Sequence, residues 1–567
     1  MKTNILPFYF ACTLLFVLFH ISSEAKFVSD IAVGESVNEQ LYMSLDRNIY
    51  CVDETVYFRI FNTSDAVVKE NEWSSIVNVE LITPNGQSIV AGKFPFSSNG
   101  ASGSLLLPKN ILSGNYYLRA YTKWMRNQPA NSYFYVGISI VNPFKHTILM
   151  PGLNNQEQLP LKVDTLLPIQ NQLFELSKLA FDRNQLASLN IHSLSENGIT
   201  DFCLSLVKKG TVKQSVLDLK YEGKMANDIT YVPEVRGVSL SGSVLNKLDS
   251  LPIGYAKVWV TLQDKNHTTR DVMCDEKGAF NIDFGKNEGT HNLYINASSA
   301  KENVVPIVMI DNDFSFSTLN LPYQPFTIPD DEKTWFEDFS INSQLSHFYK
   351  SDPTKTIMDS AVIDPNLSFY GRPDFTLALK DFISLPTIED YFKELVPMVN
   401  VKKEGGRKSF HVLGIYPELY IYDPLVMVDR VKINDVDGIL GISPSSIDRI
   451  EVVLVPFLRG DVTYGGIIHF ISKVNDFAQI ELPDESLFVT YRLIDSLKSA
   501  SFQEPVAEPL PFIGNILFWE SSASFNDANN LSIQFNTGSE PGTYQLKLEG
   551  INQEKQVIQF NADIEIK

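Results

Sequence analysis

The groups in this 567-residue chain that could hold a metal or act as a nucleophile are eight His, four Cys and 67 acidic residues. Their spacing brings few of them together. No two His stand at i, i+3 or i, i+4, and neither H-E-x-x-H nor C-x-x-C occurs, so no zinc-type ligand set is written in the sequence. His146, His192, His267, His291, His347, His411 and His469 stand singly, and a lone strand His is more often a core or surface residue than a ligand. The phosphate loop G-x-x-x-x-G-K-[ST] and the G-x-S-x-G elbow are both missing. Glu404-Gly405-Gly406-Arg407 reads as a hairpin turn. Asp330-Asp331 precedes a helical segment, and Glu389-Asp390 falls in the first turn of another, where acids suit the helix dipole. We therefore assign no catalytic, cofactor-binding or metal-binding residue. A hydrolase whose Ser, His and Asp come from distant segments stays open, as does a glycan or peptide groove lined by Trp73, Trp124 or Trp519.

The composition is that of folded protein, with 44% apolar, 11% aromatic and 20% charged residues. Against the 67 acids stand 47 bases, a net charge of −20, so a broad phosphate-binding face and a nucleic-acid partner are not expected. With 37 Phe, 23 Tyr, 30 Gly and 29 Pro the chain favours strands and turns. Lys2, the apolar run from Ile5 to Ile21 and the small residues Ser23 and Ala25 read as a signal peptide over 1–25, hence an exported chain. No later run reaches the ~18 apolar residues of a membrane helix, so no transmembrane span is expected. Cys51, Cys203 and Cys274 remain after the leader. An odd, widely spread set is no disulfide framework, and three buried free thiols are expected.

The elements that would position any site are mainly strands, and the fold class expected is mainly β: several β-sandwiches in series plus one small α/β module. Residues 40–142 read as the first sandwich. Val56, Phe58 and Ile60 alternate there with Tyr57 and Arg59, and Val77, Val79 and Leu81 with Asn78 and Glu80. The run Leu45-Asp46-Arg47-Asn48-Ile49-Tyr50, then Asp53-Glu54-Thr55-Val56-Tyr57-Phe58, and later Ser113-Gly114-Asn115-Tyr116-Tyr117-Leu118-Arg119-Ala120-Tyr121-Thr122-Lys123-Trp124, resembles the macroglobulin-type domain of alpha-macroglobulins and large Gram-negative envelope proteins. Covalent-trapping members join a Cys to a nearby Gln as a thioester, and none of the three cysteines has that context. Residues 146–232 read as a second sandwich. Residues 236–310 read as a third, in which Leu251-Pro252-Ile253-Gly254 and Asp275-Glu276-Lys277-Gly278 separate strands. That series resembles the carboxypeptidase regulatory-like domain, a name that implies no peptidase residues. Residues 313–354 read as a linker with a helix carrying Trp335, Phe336, Phe339 and Leu345.

Residues 375–474 change character. Thr387 is a good N-cap, and Ile388, Tyr391, Phe392, Leu395 and Val396 fall on one helix face. The strands Pro424–Asp429, Ile447–Val453 and Ile467–Lys473 follow. That order resembles the plug domain of TonB-dependent outer-membrane receptors, although Arg430 stands where the family usually has Gly after the strand-ending Asp, and Arg459-Gly460-Asp461 is atypical. The plug normally fills a 22-stranded barrel. Strands of about 9–11 residues need roughly 200 residues for that, and 94 follow Lys473, so no barrel is expected in them. Residues 480–567 read as a C-terminal sandwich, again macroglobulin-like. The resemblances together imply a non-catalytic interaction component at or near the outer membrane, accessory to transport. Its partners would be envelope or outer-membrane proteins such as a β-barrel. The alternatives are a protease-binding, macroglobulin-like defence protein without a thioester, and the hydrolase above.

Overall fold

The computed structural model describes residues 39–64, 74–150, 174–194, 201–212, 229–263, 269–301, 303–317, 319–349, 370–404, 406–459, 462–474, 485–495, 501–503 and 511–567, with residues 217, 219 and 478 singly. The signal-peptide reading of 1–25, Trp73 and much of 146–232 lie outside them. The chain is mainly β. It divides into two compact units: Met1–Val235 with Ser315–Lys350 and Leu497–Lys567, and Arg236–Phe314 with Ser351–Ser496.

In the first unit, two sheets make the first sandwich. One orders Leu41–Leu45, Thr55–Asn62 and Ala101–Leu106; the other orders Ile49–Cys51, Phe134–Val141, Gly114–Tyr121, Ile76–Ile82 and Ser88–Pro95. Val56, Phe58 and Ile60 face Val77, Val79, Leu81, Leu118 and Ala120 in one core, each contributing about 1.5–3 kcal/mol by burial. The alternate residues Tyr57 and Arg59 are buried too. Tyr57 and Phe61 pack with Cys203 and Trp519, so this sheet is covered on both faces.

The motif that carried the resemblance has a structural explanation. Arg47 is buried and bonds Asp46 at 2.7 Å, Glu54 at 2.8 Å and the Ile49 carbonyl at 3.2 Å. Its guanidinium lies 4.5 Å from the Tyr50 ring centre. Tyr50 donates to Asp46 at 2.8 Å, and the Tyr57 N–H does so at 3.0 Å. Glu54 also accepts the Cys51 N–H at 2.8 Å. A buried Arg held by two carboxylates needs each of these partners, because an uncompensated charge would remain if one left.

The expected linker is part of this unit. Alternate residues of the strand Gly114–Tyr121 hold it in reverse order. Asn115 donates to the Gln324 carbonyl at 2.9 Å, Tyr117 to that of Pro322 at 2.6 Å, and Arg119 to those of Ser317 at 2.9 Å and Ser315 at 2.7 Å. The Tyr121 hydroxyl takes the Ser315 N–H at 2.7 Å. Arg119 is also fixed by Glu80, at 3.0 and 2.8 Å. Helix Lys333–Tyr349 follows, and its Phe336 and Phe339 pack on Ile49, Cys51 and Val141.

The second sandwich corrects the reading of 146–232 and 480–567 as separate sandwiches. Strand Asp201–Lys208 pairs with Ile516–Ala523 on one side and Gly542–Ile551 on the other. Leu186–Ser193 pairs with Asn530–Asn536. Leu189, Ile191, Leu204 and Leu206 share one core with Phe535, Leu546, Leu548 and Phe560. Two segments over 300 residues apart make one fold, because neither supplies enough strands to bury its own apolar face. Tyr42 and Ser44 of the first sandwich donate to Glu549 of the second, and Arg59 pairs with Asp201. Trp124 and Trp519 are buried, so neither lines a groove.

In the second unit, one sheet orders Ala279–Gly285, Val238–Asn246 and Pro306–Ile310. The facing one orders Thr269–Met273, Lys257–Gln263, Thr290–Ser298 and Leu487–Arg492. The last strand is a further correction: placed by sequence with the C-terminal sandwich, it pairs with Thr290–Ser298 instead. Gly278 sits in its turn at φ +78°, and an added Cβ would come within 2.8 Å of the Val244 carbonyl. Residues 375–474 supply a mixed sheet ordered Phe375–Ala378, Ile447–Val453, Ile467–Ser472, Leu425–Val428 and Val431–Lys432. Helix Ile388–Leu395 begins at Thr387, whose hydroxyl oxygen accepts the Asp390 N–H at 3.2 Å. Ile388, Tyr391, Phe392 and Val396 are buried on Phe410, Val412 and Phe470. Glu404 pairs with Arg407, the two-residue hairpin read from the sequence.

Candidate interaction surface

The segment Gly414–Pro424 is almost wholly apolar or aromatic, but it lacks a helical or strand period. Pro417 opens a single turn, Glu418–Ile421, and of its residues Leu419 alone is buried. Ile415, Tyr416, Tyr420, Ile421 and Tyr422 are exposed. The turn lies against the base of the hairpin Phe457–Arg459 with Val462–Tyr464. Gly465 donates its N–H to the Asp423 carbonyl at 3.0 Å, and a Cβ there would meet the Tyr422 carbonyl at 2.1 Å. A Cβ at Gly414 would meet the Leu419 side chain at 2.5 Å and the Leu454 carbonyl at 3.4 Å. The hairpin adds exposed Val455 and Leu458 to the same end of the module. Ile415 is 88% exposed, and Ile421 and Leu458 are each 69% exposed. Seven large apolar side chains thus share one end of the sheet, with the acids Glu418 and Asp423 among them. Burying such a patch against another surface would return about 25 cal/mol per Å².

Farther along the same sheet lies a polar network that resembles catalytic machinery and is better explained as support. His469 is buried, and its Nε2 accepts the Arg430 N–H at 3.0 Å. That places the ring proton on Nδ1, 2.7 Å from the Tyr370 hydroxyl. Tyr370 donates in turn to Glu451, which Arg449 holds at 2.8 Å. Burial pushes the Glu451 carboxyl up, but the bonds from Tyr370 and Arg449 outweigh it and leave it below its ordinary range. Each proton already has an acceptor, and the chain of bonds ends on the Asp429–Arg430 turn. Both turn residues have positive φ, +46° and +67°, the backbone that a type I′ hairpin gives to Gly. Arg430 therefore occupies a strained position. The His469 bond, and the Ser472 N–H and hydroxyl on the Asp429 carboxylate at 2.7 and 2.5 Å, hold the turn in place.

Lys432, two residues on, lies 4.2 Å from the Trp259 ring centre and 4.9 Å from that of Tyr464. Desolvation pulls its amine down to about 8, against the opposing pull of Asp271. The cysteines are free and buried as expected. Burial pushes the Cys203 thiol up to about 12 and that of Cys274 up to about 11, which makes both poor nucleophiles. Of the single histidines, His347 approaches Asp53 at 3.6 Å and His192 bonds Asn530 at 3.0 Å. No group of His, Cys, Asp and Glu among the described residues could hold a metal ion. No helix among them is long and apolar enough to cross a membrane. Sequence reasoning missed the surface at 414–422. Its signal was an apolar run bracketed by Pro417 and Pro424 with no period, too short for a core element.

No family model and no curated protein matches this chain. Among solved structures it is similar to the native conformation of Escherichia coli alpha-2-macroglobulin, at 9% identity and TM-score 0.23. It is also similar to Salmonella alpha-2-macroglobulin reacted with methylamine, at 10% and 0.23. Each alignment covers 94% of this chain and 40% of the other, so the chain spans about two-fifths of those proteins. Dimeric latent PorU from Porphyromonas gingivalis aligns at 10% identity and TM-score 0.15, over 48% of this chain and 34% of its own. Likeness this shallow carries no weight for fold or activity.

Proposed function

We propose that this chain is a non-catalytic protein-interaction component of a Gram-negative envelope, acting at or near the outer membrane, and that residues 375–474 carry its main binding face. The exposed apolar end formed by Ile415–Tyr422, Val455 and Leu458 carries this reading. The plug resemblance implies a surface that a barrel wall would cover in a receptor, and the exposed apolar end of 375–474 is what supports a covering partner. The partner is another envelope protein whose own face is apolar with a basic rim, complementary to Glu418, Asp423 and a net charge of −20. An accessory role in outer-membrane transport rests on the plug resemblance alone.

Affinity isolation from solubilised envelopes tests it, comparing the native chain with Ile415→Glu/Ile421→Glu and with the control Leu106→Glu on the first sandwich. We expect the double variant to stay folded and to lose most of what the native chain captures, while the control keeps it. Equal capture by all three would place binding on the sandwiches.

A further inference from the structure

The first unit holds a small cavity where three segments meet: residues 47–57, the C-terminal half of helix Lys333–Tyr349, and residues 512–516. It is a shallow space of about 400 Å³, a figure that takes in the open mouth and the solvent beyond it. Arg47, Glu54, Ser343, Ser346, His347 and Asn515 are among its polar lining residues, and Phe512 and Ile516 among the apolar ones.

Asn515 is the informative residue. It is 2% exposed, and its Nδ2 donates to the Glu54 carboxylate at 3.2 Å and the Phe339 carbonyl at 3.0 Å. Both partners only accept, so a flipped amide would set oxygen against oxygen, and the orientation is fixed. Its Oδ1 is buried without a partner. A group that fills the cavity well must therefore donate. The local charge leans the same way. Arg47 offsets only one of Asp46 and Glu54. Asp53, beside His347, adds a further carboxylate that the exposed Lys109 meets at 3.0 Å. A carboxylate ligand would be repelled. A guanidinium seeks a carboxylate with both oxygens free, and those of Glu54 are engaged.

We propose that this cavity binds a primary ammonium group on a short alkyl stem. The ammonium, with three donors and no acceptor, bonds Asn515 Oδ1 beside the Glu54 carboxylate and the Ser343 and Ser346 hydroxyls. The stem lies along Phe512 and Ile516. The same chemistry belongs to a lysine side chain of a partner protein and to a free amine. This inference is independent of the binding face on the other unit.

Calorimetric titration of the full chain with n-butylammonium, n-butanol and butyrate tests it. The expected result is one saturable butylammonium site per chain, at least about tenfold tighter than for butanol, with no butyrate binding. Asn515→Leu should abolish it. Because Asn515 also ties Glu54 to Phe339, Ser346→Val serves as a second variant and should weaken binding while the fold persists. A lysine-containing peptide that binds tighter than butylammonium would assign the site to a protein partner; the reverse order would assign it to a free amine. No saturable site in the native chain, equal binding of butanol, or unchanged binding in folded variants would overturn the proposal and leave Asn515 Oδ1 to water.

Discussion

The first sandwich, 40–142, and the module 375–474 are each about a hundred residues long, and they dispose of apolar surface in opposite ways. Among the described residues, 40–142 leaves one large hydrophobic side chain exposed, Leu106. Residues 375–474 leave ten exposed, seven of them at the end built from Ile415–Tyr422, Val455 and Leu458. Each module has a closed core, so the difference does not reflect incomplete folding. The sandwich covers its outer strand faces with elements of its own unit: the strap 315–324 on one sheet, and Trp519 with Cys203 on the other. Among the described residues, the module has no such cover at its hairpin end. The contrast teaches that apolar content alone does not mark a binding face; what marks it is apolar content that the chain itself leaves uncovered.

The largest expected effect comes from opening the closed side. Arg47→Met leaves Asp46 and Glu54 buried without their cation, which should cost about 3–5 kcal/mol. Denaturant unfolding followed at the first unit would read it. A loss under 1 kcal/mol would show that the network is not what closes the sandwich.

A smaller effect belongs to Lys432 beneath the open side. Its folded amine titrates near 8, below its ordinary value of 10.5. The unfolded chain therefore binds the extra proton between those values, and stability is greatest above 10.5 and falls as pH drops toward 8. Charging the lysine at this place should cost about 1–3 kcal/mol of stability as pH falls across that window. Lys432→Met should flatten the pH dependence of the second unit's unfolding there. An unchanged slope would show that the amine stays solvated.

The smallest is Arg430→Gly. It relieves a left-handed residue at φ +67° and keeps the N–H that His469 accepts, so the second unit should gain about 1 kcal/mol. A net loss would show that the arginine side chain outweighs its backbone strain.

Much of this was legible in the residues. The motif Asp46-Arg47 with Tyr50 and Glu54 marked a domain, and the structure shows what those types do together: they satisfy one another's buried charge and hydrogen bonds. Thr387 and the face from Ile388 to Val396 fixed a helix because capping and period are local signals. The second sandwich was not legible, because the pairing of Asp201–Lys208 with Gly542–Ile551 leaves no mark in either segment. The strap was likewise missed; its bonds run from strand side chains to loop carbonyls, which any sequence supplies. Ile415–Tyr422 escaped because exposure is decided by what fails to pack on a segment, and a sequence records only what could.

The central proposal, that another envelope protein covers the hairpin end of the module 375–474, has a direct measurement. Photo-activated cross-linking residues placed singly at 415, 421 and 458, and at 106 as the closed-side control, would be irradiated in intact envelopes and the products resolved by mass. The account predicts one discrete heterologous adduct shared by the first three positions and absent at 106. No adduct at any of the three, the same adduct at 106, or a product of twice this chain's own mass would contradict it.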